Sequence, residues 1–258
     1  MKTISVILIT LNEERNIREC LASVRWANEI IVVDSGSHDQ TVRIARELAD
    51  KVIVTGWTGY AQSKNLALQH ASSDWVLWID ADERVTAELR DEIRRVLAGN
   101  SEKAGYEIPR KAYFLGRWIK HCGWYPAHVL RLFRRGKGVF NDRIVHEGVQ
   151  LQGFIGRLSN ALLHFTDDTL DHYMDKFNTY TSLAAKDLSL RGKKAGLPGI
   201  LFRPLAIFIK MFFLKKGFLD GVEGFMLCLL SANYVAFKYA KLWEKRNIAD
   251  VAEKAAKQ

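Results

Sequence analysis

The chain has 258 residues, of which 48% are hydrophobic and 26% charged, and this composition excludes a disordered, collagenous or low-complexity protein. The three cysteines are too few and too widely spaced for a disulfide framework, and no signal peptide is recognisable, so we expect a cytoplasmic protein. Residues 186–258 hold 14 Lys and Arg against 6 Asp and Glu, which accounts for most of the net charge of +9 and predicts a polyanionic partner.

The first 98 residues alternate between strand and helix patterns. Residues 2–11 form a continuous β-branched run, typical of a strand buried on both faces. The sequence then predicts, in chain order, a helix from residue 17, a strand at 29–33, a helix from 39, a strand at 51–54, a helix at 59–70, a strand at 75–79 and a helix at 86–97. This order predicts an α/β fold with a doubly wound, mostly parallel sheet.

The pattern changes after residue 98. Residues 106–147 predict short strands and loops among basic and aromatic residues, and residues 167–190 predict a helix. Residues 191–199, rich in glycine and charge, are the best linker candidate, and two apolar helical stretches follow them. We therefore predict one domain over 1–190, with halves 1–98 and 99–190, and a helical region over 191–258.

Polar clusters follow three of the four predicted strands, at Thr10–Glu13, Asp34–Gly36 and Asp80–Asp82. Because ligands bind at the carboxyl ends of parallel strands, we expect the three clusters to converge on one crevice. Asp80 and Asp82 are two residues apart at a strand end, so both carboxylates can share a Mg²⁺ or Mn²⁺ that bridges to nucleotide phosphates. The alternative is a solvated turn that only starts the next helix.

Two common nucleotide-binding signatures are missing from the sequence. No glycine follows the first strand where the dinucleotide fingerprint needs three, and no G-x-x-x-x-G-K-[ST] motif occurs. These absences argue against a nicotinamide-dependent enzyme and a P-loop NTPase, so we expect a metal ion to neutralise much of the phosphate charge.

Four ordered motifs carry a family resemblance. They are Ser5–Glu13 (SVILITLNE), Val32–Ser37 (VVDSGS), Gln62–Asn65 (QSKN) and Trp78–Glu83 (WIDADE). Their order and spacing resemble the family 2 glycosyltransferases, which are inverting enzymes of the GT-A fold. Residues 144–147 and 218–221 are similar to the WaaE/KdtX-type branch, which adds a sugar to the lipopolysaccharide inner core.

The resemblance implies roles for individual residues. It places the following around the nucleotide sugar and its divalent cation: Thr10, Leu11, Asn12, Glu13, Asp34, Lys64, Asp80, Ala81 and Asp82. Asp82 would be the principal metal ligand, Asp80 would contact the ribose or the metal, and Asp34 would bind the base, typically uracil. Asp34 is alternatively an N-terminal helix cap and Lys64 a solvated helix residue. By the same resemblance, residues 1–98 are the nucleotide-binding half and 99–190 the acceptor half of a GT-A domain.

An inverting transfer also needs a base on the acceptor side. Among the acids Asp142, Glu147, Asp167 and Asp168, we select Glu147 because it follows the apolar pair Ile144-Val145. The family often has a second acid before this position, where His146 stands here. His146 is expected either to orient the acceptor, to contact the diphosphate or to be structural.

Three arginines lie close together on one predicted strand, at positions 131, 134 and 135. Arg131 is the candidate for a phosphate contact, because a guanidinium pairs well with phosphate oxygens. The alternative is a solvated strand edge.

The C-terminal region is apolar and basic. Residues 197–214 contain Arg203, Lys210 and two prolines, Pro198 and Pro204, which we expect to limit helix continuity, and the uncharged run 224–237 is shorter than the about 20 residues of a spanning helix. These features predict amphipathic helices lying on the anionic, cytoplasmic face of a bacterial inner membrane. Core packing is the alternative, and no nucleic-acid motif is present.

The sequence therefore favours a metal-dependent inverting glycosyltransferase that moves a sugar, with UDP-glucose the expected donor, to a lipid-linked glycan such as lipopolysaccharide core. The alternative of a polyprenyl-phosphate or other glycolipid glycosyltransferase of the same fold stays open. A haloacid-dehalogenase-type phosphatase also uses D-x-D, but after its first strand, and here Arg84 stands where it needs Thr or Val. A non-catalytic membrane adaptor is the alternative outside enzymes.

Overall fold

The computed structural model describes residues 2–141 and 148–255. The chain forms two compact units. The first comprises Met1–Ala112 and Pro126–Thr166, and the second comprises Tyr113–Tyr125 and Asp167–Gln258.

The observed elements follow the predicted order through the first four strands. In chain order they are β1 (Ile4–Thr10), α1 (Ile17–Ser23), β2 (Glu29–Asp34), α2 (Thr41–Leu48), β3 (Lys51–Val54), α3 (Tyr60–His70), β4 (Trp75–Trp78), β5 (Glu83–Val85), α4 (Ala87–Ala98), β6 (Gly105–Phe114), β7 (Arg117–Trp118), β8 (Ala127–Arg134), β9 (Gly138–Phe140), β10 (Val149–Leu151), β11 (Ile155–Arg157), β12 (Leu162–Asp167), α5 (Leu170–Leu190), α6 (Leu197–Ile209) and α7 (Gly221–Ala255). A π-helical turn, Lys210–Leu214, continues α6, and a 3₁₀ turn, Gly217–Asp220, precedes α7.

The first unit is built on one sheet with strand order β3-β2-β1-β4-β8-β6-β12-β5. The strands β3, β2, β1 and β4 are parallel, as the βα alternation predicts. Strand β8 then runs antiparallel to both β4 and β6. It therefore brings side chains from beyond residue 126 next to the strand that ends at the D-x-D motif.

Helices cover both faces of this sheet, because the parallel strands are apolar on both sides. Ile17 and Leu21 of α1 and Leu89 of α4 pack in the core on one face, and Ala61 and Ala67 of α3 pack on the other. Thr86 begins α4 as its N-cap, since its side chain accepts a hydrogen bond from the Leu89 N–H at 3.2 Å.

The second unit is helical, and α5, assigned by the sequence to the first domain, belongs to it. The Phe177 ring of α5 lies 5.4 Å from the Phe237 ring of α7. Lys241 of α7 donates to the Thr181 hydroxyl and the Asn178 side chain, both at 2.8 Å. Helix α5 therefore lies with α6 and α7 in the second compact unit, where it packs on α7.

Helix α6 is continuous where two prolines were expected to limit it. Pro198 lies in the first turn, where its missing N–H costs little, but Pro204 lies inside the helix. By length and composition, Leu197–Leu214 and Gly217–Asn247 are each long and apolar enough to cross a membrane, and none of the first stretch is buried. The predicted apolar helical C-terminal region is confirmed.

Candidate active site

The polar clusters after β1, β2 and β4 lie at the same edge of the sheet. In the parallel pairing, Thr10 is opposite Asp34, and Ile7 is opposite Trp78, two residues before Asp80. The side chains that follow these strands therefore gather around the carboxyl end of β1, as the sequence predicts.

Asp34 organises the loop after β2. Its carboxylate is buried and accepts hydrogen bonds from the Thr10 hydroxyl at 2.9 Å, from the Gly36 N–H at 3.0 Å, and from the Ser37 N–H and hydroxyl at 2.8 and 2.5 Å. A carboxylate has about four acceptor positions, so this set occupies them all. Asp34 thus holds the turn Ser35–Ser37 in place, and it is not the cap of α2, whose N-cap is Gln40.

The loop after β1 is fastened to the loop after β2. Asn12 has a left-handed backbone, with φ of 56°, and its N–H donates to the Ser37 hydroxyl at 2.8 Å. The Glu13 N–H donates to the Thr41 hydroxyl at 2.7 Å, while the Leu11 side chain is exposed. These bonds give the Thr10–Glu13 segment a defined shape at the sheet edge.

Arg131 is shared between two carboxylates. Its Nη2 donates to Asp80 Oδ2 and to Glu83 Oε1, both at 2.6 Å. The guanidinium carbon also lies 3.6 Å from the centre of the Trp78 ring. Arg131 and Glu83 are fully buried, whereas the Asp80 side chain is 36% exposed. The solvated strand edge that the sequence left open for Arg131 is therefore wrong.

Charge and burial shift the pKa values of these groups in opposite directions. Burial alone would raise the pKa of Asp80, but the positive charges of Arg131 and Lys64 hold it well below its usual value. Burial raises the pKa of Glu83, and the attraction of Arg131 does not fully offset it because Asp80 repels a second negative charge. The same guanidinium therefore contacts one carboxyl group with a lowered pKa and one with a raised pKa.

Asp82 presents an oxygen that no described group contacts. Its Oδ1 is buried and has no hydrogen-bond partner among residues 2–141 and 148–247. Its Oδ2 lies 3.4 Å from Nε2 of His164 on β12. The carbonyl of the intervening Ala81 accepts from Arg84 at 2.9 Å, which fixes the backbone between the two aspartates.

A divalent cation fits this donor set. A buried carboxylate oxygen with no partner is costly unless a proton donor or a cation meets it. No group of three or more His, Cys, Asp and Glu side chains in the described part of the chain is arranged as a metal cage. Magnesium typically takes one or two carboxylates and completes its shell with water and substrate phosphates, so two aspartates are a suitable protein contribution.

Lys64 on α3 is buried against the same aromatic residue as Arg131. Its Nζ lies 4.5 Å from the centre of the Trp78 ring, so the alternative of a solvated helix residue is wrong. Two nearby arginines are also engaged: Arg134, the last residue of β8, donates to the Ser101 and Lys103 carbonyls, and Arg135, which follows β8, donates to the Ser73 carbonyl.

The predicted base, Glu147, and its neighbour His146 lie outside the described residues. Conversely, three residues at the site had no predicted role: Glu83, His164 and Arg110, whose guanidinium lies 3.8 Å from Glu83. Glu83 closes the quoted WIDADE motif, which was the available signal. Nothing in the local sequence of His164 or Arg110 indicates which face of its strand meets the site.

Known proteins match this chain over most of its length. The model of the family "Glycosyl transferase family 2" matches residues 5–142. The lipopolysaccharide core biosynthesis glycosyltransferase LpsC of Rhizobium meliloti (strain 1021) is 32% identical over 94% of this chain and 92% of its own length. The uncharacterized glycosyltransferase RT0209 of Rickettsia typhi is 34% identical over 95% and 88%.

A solved structure supports the fold. The mannosyltransferase PcManGT of Pyrobaculum calidifontis, in complex with GDP-Man and Mn²⁺, superposes with a TM-score of 0.56 over 95% of this chain and 88% of its own, at 17% identity. The predicted fold class and the predicted transferase class are confirmed. Since the family model covers more than half of the chain and the relatives span nearly all of it, the chain belongs to glycosyl transferase family 2.

Proposed function

We propose that this glycosyltransferase moves a sugar from a nucleotide sugar, with UDP-glucose the expected donor, to lipopolysaccharide core. The observation that carries the proposal is the unpartnered Asp82 oxygen beside Asp80, at the sheet edge where Thr10–Glu13 and Asp34 gather. The relative LpsC supports the acceptor, because it is named for lipopolysaccharide core biosynthesis.

Asp82, with Asp80, would hold a Mg²⁺ or Mn²⁺. The mannosyltransferase of similar fold binds Mn²⁺ together with GDP-Man, which supports this choice. When bound, such a cation neutralises negative charge on the departing diphosphate. One oxygen of Asp80 accepts a hydrogen bond from Arg131. Arg131 would therefore orient the Asp80 carboxylate and favour its ionised form. This role differs from the direct phosphate contact predicted from the sequence.

The residues on the donor side would hold the nucleotide. The Thr10–Glu13 segment would line the base and ribose, and its shape depends on Asp34 through the Ser37 bridge. Lys64 lies beside Trp78, where a cation favours a nearby diphosphate. A direct contact between Asp34 and the base would require one of its present donors to move aside.

Glu147 would be the base, with His146 orienting the acceptor or the diphosphate. In an inverting displacement, the acceptor oxygen bonds to the anomeric carbon as the bond to the diphosphate oxygen breaks. The acceptor proton passes to the carboxylate. A Glu147→Gln variant should keep donor binding and lose transfer.

The C-terminal helices would hold the enzyme on the cytoplasmic face of the inner membrane. Leu201, Phe202 and Phe213 are each more than half exposed, and Lys210, Lys215 and Lys216 lie in or just after the same stretch. Exposed apolar side chains next to lysines suit the interface of an anionic leaflet.

A panel of UDP-, GDP- and ADP-sugars tests the donor. With Mn²⁺ present, UDP-glucose should raise the thermal midpoint more than the other sugars, because binding to the folded state stabilises it. Transfer of labelled glucose to purified core oligosaccharide tests the acceptor. If none of the nucleotide sugars stabilises the protein, the proposal is overturned. If glucose is transferred to polyprenyl phosphate alone, the proposed acceptor is overturned.

A further inference from the structure

A cavity of about 480 Å³ opens at the start of α6. Lys194, Gly196, Phe202, Arg203 and Tyr239 are among the residues that line it. All belong to the second unit, so the cavity is a property of that unit alone.

Two cations lie near the ring of Tyr239: Arg203 lines the cavity, whereas Lys238 is not one of its lining residues. Arg203 donates through Nη1 to the Tyr239 hydroxyl at 2.7 Å, and its guanidinium lies 4.7 Å from the centre of that ring. Lys238 places its Nζ 5.3 Å from the centre of the same ring. Tyr239 thereby fixes the guanidinium, and no hydrogen bond in the described part of the chain uses Nε or Nη2 of Arg203.

No acid offsets these charges. Within residues 2–141 and 148–247, no Asp or Glu forms an ion pair with Lys194, Arg203 or Lys238. Burial lowers the pKa of Lys238, and the positive charge of Arg203 lowers it further. Like charges held together without a counter-ion are relieved when an anion binds between them.

Apolar side chains continue from the cavity along α6. Phe202 lines the cavity, and Leu205 and Ile209 follow it at i+3 and i+7, on the same helix face. Their exposed fractions are 66%, 55% and 43%. A ligand that matches both the positive charges near Tyr239 and the exposed apolar side chains of α6 has an anionic head and an apolar tail.

We infer that this cavity binds the phosphate head group of an anionic membrane lipid, with Arg203 on the phosphate, Lys238 adding positive charge beside Tyr239, and the acyl chains along Phe202, Leu205 and Ile209. A guanidinium matches the geometry of phosphate oxygens and can donate to two of them. The inference rests on the proposed membrane association and adds to it a specific site for the lipid head group.

Vesicle flotation tests the site, with phosphatidylcholine vesicles and with vesicles that also contain phosphatidylglycerol. The full chain should prefer the phosphatidylglycerol vesicles. Arg203→Gln with Lys238→Gln should weaken that binding roughly tenfold or more, since the charge-assisted hydrogen bonds from Arg203 to the phosphate and the neighbouring positive charge of Lys238 are both lost. The matched control, Lys186→Gln with Lys245→Gln, removes the same charge from exposed positions outside the cavity and should stay within about twofold of wild type.

Arg203→Lys separates a built site from general attraction, because it keeps the charge and removes the planar guanidinium. It should weaken binding roughly threefold or more, with the thermal midpoint unchanged. If Arg203→Lys and the double variant bind phosphatidylglycerol vesicles as the control does, the lipid site is overturned and membrane association stands. If wild type binds no vesicles, the membrane proposal itself fails.

Inorganic phosphate distinguishes a lipid from a free anion. Under the inference, added phosphate displaces little protein from the vesicles, because it lacks the apolar tail. Should phosphate raise the thermal midpoint of wild type but not of the double variant, while vesicle binding is equal for both, the cavity is a site for soluble anions and the lipid assignment is overturned.

Discussion

Replacing Arg131 with methionine should destabilise the first unit strongly. Methionine fills much of the volume but leaves Glu83, which is fully buried, and the partly buried Asp80 without the cation that both contact at 2.6 Å. Removing one partner of a buried ion pair typically costs about 3–5 kcal/mol of unfolding free energy. We expect Arg131→Met to fall in that range at neutral pH.

The loss of unfolding free energy in Arg131→Met should depend on pH, and the charges of the two acids determine the direction of that dependence. In wild type, Arg131 holds the pKa of Asp80 below its unfolded value of about 3.9. That contribution to stability is present above the unfolded pKa and is lost as pH falls through the folded pKa. In the variant, burial without a cation raises both folded pKa values above the unfolded ones, so the folded state binds more protons. The difference between the proteins should therefore shrink from about pH 8 to about pH 5.

Urea denaturation followed by tryptophan fluorescence measures the difference. Arg134→Met is the matched control, because the Arg134 guanidinium donates to the Ser101 and Lys103 carbonyls and lies 4.8 Å from the centre of the Trp75 ring; this variant should cost about 1–2 kcal/mol. Combining Glu83→Gln with Arg131→Met should cost less than the two single losses added, by at least about 1 kcal/mol. A loss for Arg131→Met no larger than that of the control, or strict additivity in the double variant, would refute the shared-cation argument.

Three further outcomes are expected. Asp82→Ala should lower transfer by a factor on the order of 10²–10³ with little change in the thermal midpoint, since its Oδ1 has no described partner, and a chelator should reproduce that loss in wild type until Mn²⁺ is restored; near-normal turnover would contradict the metal assignment. Asp220→Asn should cost about 2 kcal/mol and speed amide exchange at Lys120 and His121, whose N–H groups donate to this buried carboxylate; unchanged exchange would contradict it. The three cysteine thiols should resist alkylation in the folded protein, because burial raises the pKa of each, and rapid labelling detected by mass spectrometry would argue against that burial.

The parallel half of the sheet could be predicted because its signals are local. The run Ile4–Thr10 is β-branched and nearly all buried, so its sequence carries its own evidence. The fourth helix, predicted over residues 86–97, is observed over Ala87–Ala98 with Thr86 as its N-cap. Because these strands are parallel, the polar residues at their carboxyl ends are then predicted to lie at the same edge of the sheet.

The surroundings of the D-x-D motif could not be predicted in the same way. Arg131 meets Glu83 across 48 positions of sequence, and no periodicity in a short strand shows that its polar face is buried. Pro204 was expected to interrupt a helix, but α6 continues through it. Proline removes one backbone donor, and the exposed helix around it tolerates that loss.

The contact between Arg131 and the acids after β4 has a consequence for how the protein can be made and divided. A ribosome that has synthesised residues 1–98 has produced Asp80 and Glu83 but not yet β8, which carries Arg131. A fragment ending near residue 98 would carry both acids without their counter-charge, and we expect it not to persist as an autonomous nucleotide-binding module. If the proposed donor site is correct, we therefore expect donor binding to require a chain that extends beyond β8.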